Sequence, residues 1–279
     1  MSFDIKNMDC VEGVAALPKA SIDMAIYSPP FADLFVYSND VRDMGNCQSM
    51  DEFLTHYQFL LQGMIRAMKP GRIVCVHCSD LPTVKFRDGF IGLRDFPGDL
   101  IRAHQETGFI YHSRVTIWKD PVTEMQRTKA LGLLYKQLQK DSTKSRNGLS
   151  DYVLVFRTPG ENQAPVAQDP GEFPVTQWQE WASPVWMDIN QTNTLNVRVA
   201  RGDKDERHLC PLQLDLIERC ILLWSNPGET VLSPFTGVGS EGFVALQHNR
   251  NFVGFELKPS YYETARRNLE TGAQQLRMA

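Results

Sequence analysis

The chain has 279 residues, of which 42% are hydrophobic and 22% charged, a composition typical of a folded globular protein. This composition excludes disorder, collagen-like repeats and a coiled coil as descriptions of the whole chain. The formal net charge of −4 argues against a protein that coats nucleic acid non-specifically, because such proteins are basic. The sequence has neither a run of about 18 apolar residues nor the pattern of a signal peptide, so we expect a cytoplasmic protein with no membrane partner.

Predicted strands and helices alternate through the first 157 residues. Apolar periodicity and turn residues predict strands at 22–27, 73–77, 109–118 and 151–156, with helices at 51–68 and 100–108. This order predicts an α/β fold with a mostly parallel central sheet and helices on both of its faces.

Residues 158–207 interrupt this alternation with five prolines and three tryptophans. The pattern predicts an irregular insertion rather than a layer of the sheet. Regular patterns then return, with helices predicted at 212–224, 241–248 and 260–269 and strands at 230–232 and 252–256.

The six cysteines are scattered along the chain, which favours reduced thiols over a disulfide framework. Cys75 and Cys78 have the Cys-x-x-Cys spacing of zinc and redox motifs, but no second cysteine pair follows them. We therefore predict buried strand cysteines at these two positions and no metal site.

A glycine-rich turn follows the predicted strand at 230–232. Gly237, Gly239 and Gly242 form Gly-x-Gly-x-x-Gly between this strand and a helix, where glycine lets a ligand approach the backbone and the helix N-terminus closely. Glu256 ends the next strand, at the position that binds ribose hydroxyls in dinucleotide sites. A tight turn without a ligand is the alternative. A nicotinamide dehydrogenase fits poorly, since only 37 residues follow Gly242.

A second motif, Ser28-Pro29-Pro30-Phe31, ends the predicted strand at 22–27. Two prolines cannot continue a central strand, because they donate no hydrogen bond to a neighbouring strand. Ligands of open α/β sheets bind where the strands end, so this motif and the glycine turn are expected to face one cleft. A proline-terminated strand with no chemistry is the alternative for this motif alone.

Together the two motifs resemble those of the DNA amino-methyltransferases, which methylate exocyclic amines of adenine or cytosine using S-adenosylmethionine. That family's catalytic Asp/Asn/Ser-Pro-Pro-aromatic motif is matched at residues 28–31, and its Asp-Pro-Phe-x-Gly-x-Gly cofactor motif at residues 233–239. The catalytic motif comes first, which is the permuted order of the beta class. Ser233 departs from the pattern, since the family usually has an aspartate there.

The resemblance implies a Rossmann-like methyltransferase fold with S-adenosylmethionine as cofactor. Asp9 and Cys10 would line its adenine, Glu256 would bind its ribose, and His208 would be a further contact. The amino-acid part would be held by Phe235, Gly237, Gly239 and Ser240. An ordinary turn residue is the alternative for Asp9, and a solvent-facing or capping histidine for His208.

The resemblance also implies how the target base is handled. The base would be flipped out of the duplex and stacked on Phe31, while Ser28 and the Pro29 carbonyl accept hydrogen bonds from its amino group. In this family a leading serine is associated with cytosine N4 and a leading aspartate or asparagine with adenine N6. We therefore favour cytosine N4, with adenine N6 as the alternative, because a hydroxyl can bind either amine.

One stretch of the chain is strongly basic. Residues 126–146 have a net charge of +5 in a protein whose total charge is −4. We predict phosphate contacts there, with a solvated helix face as the alternative. The residues predicted to bind DNA are Arg42, Arg127, Lys129, Lys136, Lys140, Lys144 and Arg146. Arg42 could instead fix its own loop.

The resemblance divides the chain into three parts. The catalytic half of the core spans 1–157, with its basic segment at 120–150, and the half that binds the cofactor spans 208–279. The insertion at 158–207 is a candidate target-recognition element. Its three tryptophans either contact DNA or pack over the sheet, and we favour packing over the sheet: Trp178, Trp181 and Trp186. Double-stranded DNA is the predicted partner, and a homodimer and a cognate restriction nuclease stay open. The competing functions are methylation of RNA or protein and a silent DNA-binding relative.

Overall fold

The computed structural model describes residues 1–31, 40, 42–83, 85–128, 131–168, 170–171, 173–195 and 211–278. The strands are β1 (Phe3–Asn7), β2 (Ile22–Tyr27), β3 (Met68–Ser79), β4 (Leu81–Pro82), β5 (Leu93–Arg94), β6 (Ile110–Ile117), β7 (Asp151–Arg157), β8 (Val185–Trp186), β9 (Thr230–Ser233) and β10 (Asn251–Glu256). The helices are α1 (Cys10–Ala16), α2 (Met50–Ala67), α3 (Lys85–Asp88), α4 (Phe96–Thr107), α5 (Pro121–Thr128), α6 (Tyr135–Lys140), α7 (Val175–Trp181), α8 (Leu214–Trp224), α9 (Ser240–Gln247) and α10 (Pro259–Met278).

Eight of these strands form one sheet in the order β1-β10-β9-β2-β3-β7-β6-β8. The five strands from β1 to β3 are mutually parallel, whereas β7 runs antiparallel to both of its neighbours. The predicted mostly parallel sheet is therefore confirmed, with one reversed strand that the sequence pattern does not indicate. The sheet places β2 directly beside β9, with Ala25 opposite Leu232.

The long helix α2 shows why the predicted helices form. Its apolar side chains recur at helical spacing, and Phe53, Tyr57 and Leu60 are fully buried against the sheet. Burial of each such side chain contributes about 1.5–3 kcal/mol. At its start, the Ser49 hydroxyl accepts a hydrogen bond from the Glu52 amide at 3.1 Å, which satisfies one of the free helix N–H groups.

Helices cover both faces of the sheet, as predicted. Residues of α1, α2 and α4 pack in one buried cluster, and residues of α8, α9 and α10 pack in a second cluster on the other face. Cys75 and Cys78 lie in different clusters, because residues three apart in a strand point to opposite faces. Both are buried free thiols, so they form neither a disulfide nor a shared ligand pair.

The described part of the 158–207 segment differs from the predicted irregular insertion. It includes the helix α7 and the edge strand β8, which pairs in parallel with β6, so the expectation that it adds nothing to the sheet is wrong. Trp186 is 1% exposed and Trp181 lies beside it, with the Arg219 guanidinium against both rings at 4.8–4.9 Å. The predicted packing is confirmed for these two tryptophans, whereas Trp178 is 54% exposed.

Within the described ranges, no helix has the length and apolarity needed to cross a membrane.

Candidate active site

The two sequence motifs meet at one edge of the sheet. The parallel strands β2 and β9 end there, and Ser28–Phe31 and the turn at 234–240 follow them directly. Both segments line a cavity of about 1600 Å³. Asp9, Cys10 and Glu256 also line it, so the cavity brings together most of the predicted cofactor and catalytic residues.

A buried polar network supports the turn at Ser28. All six residues of β2 are buried, and the Tyr27 hydroxyl lies 2.8 Å from the Tyr57 hydroxyl and 3.4 Å from His104 Nε2. Burial lowers the pKa of His104 to about 3, so this imidazole is neutral at physiological pH. The ring of Phe31 lies 6.2 Å from that of Phe96, and Phe31 also lines the cavity.

Ser28 contacts a histidine that the sequence motifs did not indicate. The Ser28 hydroxyl donates to the carbonyl oxygen of His77 at 3.2 Å, and His77 Nδ1 lies 3.2 Å from the same hydroxyl oxygen. His77 Nε2 lies 3.1 Å from a carboxylate oxygen of Asp151. Lys119 forms an ion pair with the other oxygen of that carboxylate.

The Asp151 carboxylate is ionised despite its burial. Burial alone would raise its pKa, but the interactions with His77 and Lys119 outweigh burial and lower the pKa to about 2. Asp151 therefore carries a negative charge next to His77, which in turn contacts Ser28, at any pH at which the protein is expected to work. A polar residue at the end of a buried apolar strand, such as His77 at 73–77, was the one sequence signal for this cluster.

The glycine turn has the backbone that its sequence predicts. Gly237 and Gly239 have φ values of +54° and +91°, which glycine adopts without the steric cost of a side chain. Apart from its two chain neighbours, none of the residues that the structure describes has an atom within 4 Å of a Cβ placed on Gly237, which lines the cavity. A Cβ on Gly242 would lie 2.5 Å from the Phe252 ring, so the third glycine is required for packing of α9 against β10.

Two buried carboxyl groups border this turn. Glu256 accepts hydrogen bonds from the Gly237 and Lys258 amides, and its burial raises its pKa to about 7. Glu241, in the first turn of α9, is 4% exposed, and burial raises its pKa to about 8, with a smaller contribution from the charge of Glu256. Both carboxyls therefore keep their protons to a much higher pH than exposed glutamates do.

The residues around the glycine turn fit the predicted cofactor. The Ser240 hydroxyl is buried in the cavity wall and has no hydrogen-bond partner within the described ranges, so it is available to a bound ligand. Asp9 caps α1, where its carboxylate accepts from the Val11 and Glu12 amides. Cys10 is buried, and burial raises the pKa of its thiol well above the ordinary value, which suits a wall position rather than a nucleophile.

Of the other residues predicted to bind the cofactor, Phe235 lines the cavity and Gly239 does not. Phe235 borders the cavity, and its ring lies 5.8 Å from that of Tyr27. Gly239 packs against Ala265 on α10 instead, where a Cβ would lie 3.2 Å from that residue. His208 lies outside the described residues.

The predicted DNA-binding residues fall into two groups. Lys136 and Lys140 are exposed on α6, and Lys144 is exposed on the cavity rim in an ion pair with Asp141 at 3.3 Å. Arg146 pairs with the buried Glu124 at 3.3 Å, and Arg42 pairs with Asp40 at 2.8 Å, so these two guanidinium groups already have internal partners. Lys129 lies outside the described residues, and Arg127 lies in α5 without a described side chain.

Comparison with known proteins yields a family match across most of the chain. A family model described as DNA methylase, of the N6/N4 methyltransferase type, matches residues 22–267. Type II methyltransferase M.Cfr9I of Citrobacter freundii is 41% identical over 289 aligned positions, which cover 94% of this chain and 86% of the relative. Type II methyltransferase M.BglI of Bacillus subtilis is 28% identical over 62% of this chain, and the chain spans only 42% of that relative.

Solved structures share the fold at lower identity. TTHA0409 of Thermus thermophilus, solved in complex with S-adenosyl-L-methionine, aligns with a TM-score of 0.71 at 19% identity, and the alignment covers 98% of this chain and 96% of that protein. The cytosine-N4-specific PvuII DNA methyltransferase aligns with a TM-score of 0.68 at 18% identity, covering 96% and 86%. The Rossmann-like methyltransferase fold predicted from the motifs is thereby confirmed.

Proposed function

The chain belongs to the N6/N4 DNA methylase family, whose cofactor is S-adenosylmethionine, and from that premise we propose that it methylates an exocyclic amino group of a flipped DNA base. The observation that carries this proposal is the shared cavity, which is lined by Ser28–Phe31 and by most of the glycine turn at 234–240. Chemistry that joins a methyl donor to an amine requires both sites within one pocket, since proximity and orientation supply much of the acceleration.

The glycine turn and its neighbours would hold the cofactor, which supplies an electrophilic methyl group on a sulfonium. The open face of Gly237 admits a ligand close to the backbone, and the Ser240 hydroxyl donates to or accepts from its amino-acid part. Glu256 accepts hydrogen bonds from the ribose hydroxyls. Asp9 and Cys10 line the same cavity and would contact the adenine.

The turn after β2 would hold the target base. Phe31 offers its ring to the base, and the Ser28 hydroxyl oxygen and the Pro29 carbonyl accept hydrogen bonds from the amino group. These bonds draw the nitrogen lone pair out of the ring and toward the methyl group. The rigid backbone of the proline pair keeps the carbonyl in place, so the site is preorganised before the base arrives.

Cytosine N4 is the proposed target atom. A serine at position 28 offers a neutral hydroxyl of short reach, and in this family a leading serine accompanies N4 chemistry. The basic surface of α6, with Lys136 and Lys140, would contact phosphates of the duplex, together with Lys144 at the rim of the cavity.

The test is methylation of unmethylated genomic DNA with radiolabelled S-adenosylmethionine, followed by digestion and chromatography of the nucleosides. We expect N4-methylcytosine from the wild-type protein and at least a ~100-fold lower rate from Ser28→Ala with unchanged cofactor binding. N6-methyladenine would overturn the choice of base. Absence of both products, from protein shown to bind the cofactor, would overturn the proposed function.

A further inference from the structure

Beyond the binding of cofactor and base, the Ser28 hydroxyl needs a defined orientation. A hydroxyl has one proton and must direct a lone pair at the amine if it is to accept an amine N–H. Its proton must therefore point away from the base. The carbonyl oxygen and Nδ1 of His77 both lie 3.2 Å from Ser28 Oγ, so both acceptors for that proton belong to one residue.

The side chain of His77 is itself held from behind. His77 is 9% exposed and Asp151 is 4% exposed, and the pair brings Nε2 within 3.1 Å of the carboxylate. Lys119 forms an ion pair with the second oxygen of the Asp151 carboxylate, so the net charge of Asp151 and Lys119 together is zero. The tautomer with Nε2–H toward Asp151 leaves Nδ1 free to accept a proton from Ser28.

The reaction also releases a proton that needs an acceptor. The amino nitrogen forms a bond to the methyl carbon as the carbon–sulfur bond breaks, which leaves a thioether and a positively charged, methylated nitrogen. One N–H proton must then leave for the product to be neutral. Of the two acceptors proposed for the amine, Ser28 Oγ and the Pro29 carbonyl, only the hydroxyl has a proton of its own to pass on. It can take up the released proton only if its own proton moves to another group.

We propose that His77, held by Asp151 and Lys119, is a positioning residue that orients the Ser28 hydroxyl and takes up the proton that the amine releases. The proton of the amine passes to Ser28 Oγ while the Ser28 proton passes to His77 Nδ1. The positive charge of the sulfonium thus ends on the imidazole, beside the Asp151 carboxylate, and no atom or charge is left over. This relay rests on the proposed function.

Single-turnover methylation by His77 variants tests the relay. His77→Ala removes both the orientation and the proton acceptor, and we expect about a 100-fold lower rate with unchanged dissociation constants for cofactor and DNA. The amide oxygen of His77→Asn can accept the Ser28 hydrogen bond near the position of Nδ1 but cannot take up a proton. We therefore expect the rate of His77→Asn to be at most about tenfold higher than that of His77→Ala, and still below that of the wild type.

The methylation rate of His77→Ala with added free imidazole is a second test, because imidazole would not change this rate if His77 had a purely structural role. His77 lines the cavity, so added imidazole can reach the space left by His77→Ala, and it should restore part of the rate there but none in Ser28→Ala. His112→Asn is the matched control, because His112 is an exposed histidine whose Nδ1 lies 2.9 Å from the Ser113 hydroxyl. Its rate should equal that of the wild type.

Three results would overturn the relay. They are a His77→Ala rate within threefold of the wild type, a full rate in His77→Asn, and a loss in His77→Ala that imidazole leaves unchanged while the circular dichroism spectrum is native. A failure of the proposed function would differ from all three, because the wild-type protein itself would then methylate no DNA.

Discussion

The Glu256 carboxylate accepts the backbone N–H of Gly237 at 2.8 Å, which ties the end of β10 to the glycine turn after β9. Its second oxygen accepts the Lys258 amide at 2.9 Å. Two N–H donors fix the orientation of the carboxylate at the cavity wall before any ligand binds. A ribose that donates to this carboxylate therefore meets an acceptor that needs no rearrangement.

Replacement of this carboxylate should weaken cofactor binding. In Glu256→Gln one of the two acceptor oxygens becomes an amide NH2, and a buried hydrogen-bonding group left without a partner costs about 1–3 kcal/mol, so we expect about a 5- to 100-fold higher dissociation constant for S-adenosylmethionine. Isothermal titration calorimetry measures it. Glu270→Gln, at an exposed position on α10, is the control and should bind as the wild type does. Equal affinity in Glu256→Gln would exclude the ribose role.

The buried carboxyl of Glu241 should make stability depend on pH. Its pKa rises from an ordinary 4.5 to about 8 through burial, so the unfolded chain loses this proton at lower pH than the folded one. The contribution is fully present below pH 4.5 and is lost as the pH rises through about 8. Glu256, with its pKa raised to about 7, acts in the same direction.

A neutral isostere at position 241 should remove most of this dependence. We expect Glu241→Gln to raise the free energy of unfolding by about 1–3 kcal/mol at pH ~8.5 and to leave it nearly unchanged at pH ~4.5. Urea denaturation at both pH values measures the difference. Glu106→Gln, at an exposed position on α4, serves as control and should change neither. An equal effect of Glu241→Gln at the two pH values would contradict the raised pKa.

Two glycines of the same turn should respond to alanine in opposite ways. In Gly242→Ala the new Cβ would lie 2.5 Å from the Phe252 ring and 2.6 Å from Leu269, so we expect a loss of about 1–3 kcal/mol in stability. In Gly237→Ala the new methyl lies more than 4 Å from every atom of the described residues other than its chain neighbours and borders the cavity, and its φ of +54° costs about 1 kcal/mol. The larger effect at Gly237 should be on cofactor binding.

Thermal unfolding and calorimetry, applied to both variants, separate the two roles. Gly242→Ala should melt at a lower temperature and bind the cofactor normally at temperatures where it is folded. Gly237→Ala should melt close to the wild type and bind the cofactor at least tenfold more weakly. If Gly237→Ala binds as tightly as the wild type, the cofactor does not approach the turn at that residue.

Local patterns predicted the two motif-bearing strands, because prolines and glycines mark where a strand must end. The shared cleft of the two motifs followed from the general rule that sites of open α/β sheets form where parallel strands end, whereas the direct pairing of β2 with β9 was not predicted. The reversal of β7 could not be predicted, since a short apolar strand has the same pattern in either direction. That reversal places Asp151 opposite Ser79 at the end of β3 and opposite Ile117 at the end of β6.

The cluster behind Ser28 was missed for the same reason. His77, Lys119 and Asp151 are far apart in sequence, and each belongs to a different strand or strand end. If β7 ran parallel to β3, Asp151 would lie at the opposite edge of the sheet. The ion pair of Arg146 with Glu124 is likewise a tertiary contact across 22 positions, so counting charges in 126–146 could not separate it from the exposed lysines.

The basic residues of 126–146 should therefore differ in role: the exposed lysines should contact DNA, and the arginine paired with a buried carboxylate should stabilise the fold. Lys136 and Lys140 are exposed on α6, so in a Lys136→Ala/Lys140→Ala double variant we expect weaker binding to any duplex and a salt dependence reduced by about one unit of slope for each phosphate contact. Fluorescence anisotropy at several salt concentrations measures both quantities.

Arg146→Ala should instead lower stability, because the buried Glu124 carboxylate loses its ion-pair partner and a buried carboxylate without such a partner is destabilising. A lower melting temperature with an unchanged salt slope in Arg146→Ala would support this division, whereas a salt slope that falls only in Arg146→Ala would assign the phosphate contact to the paired arginine.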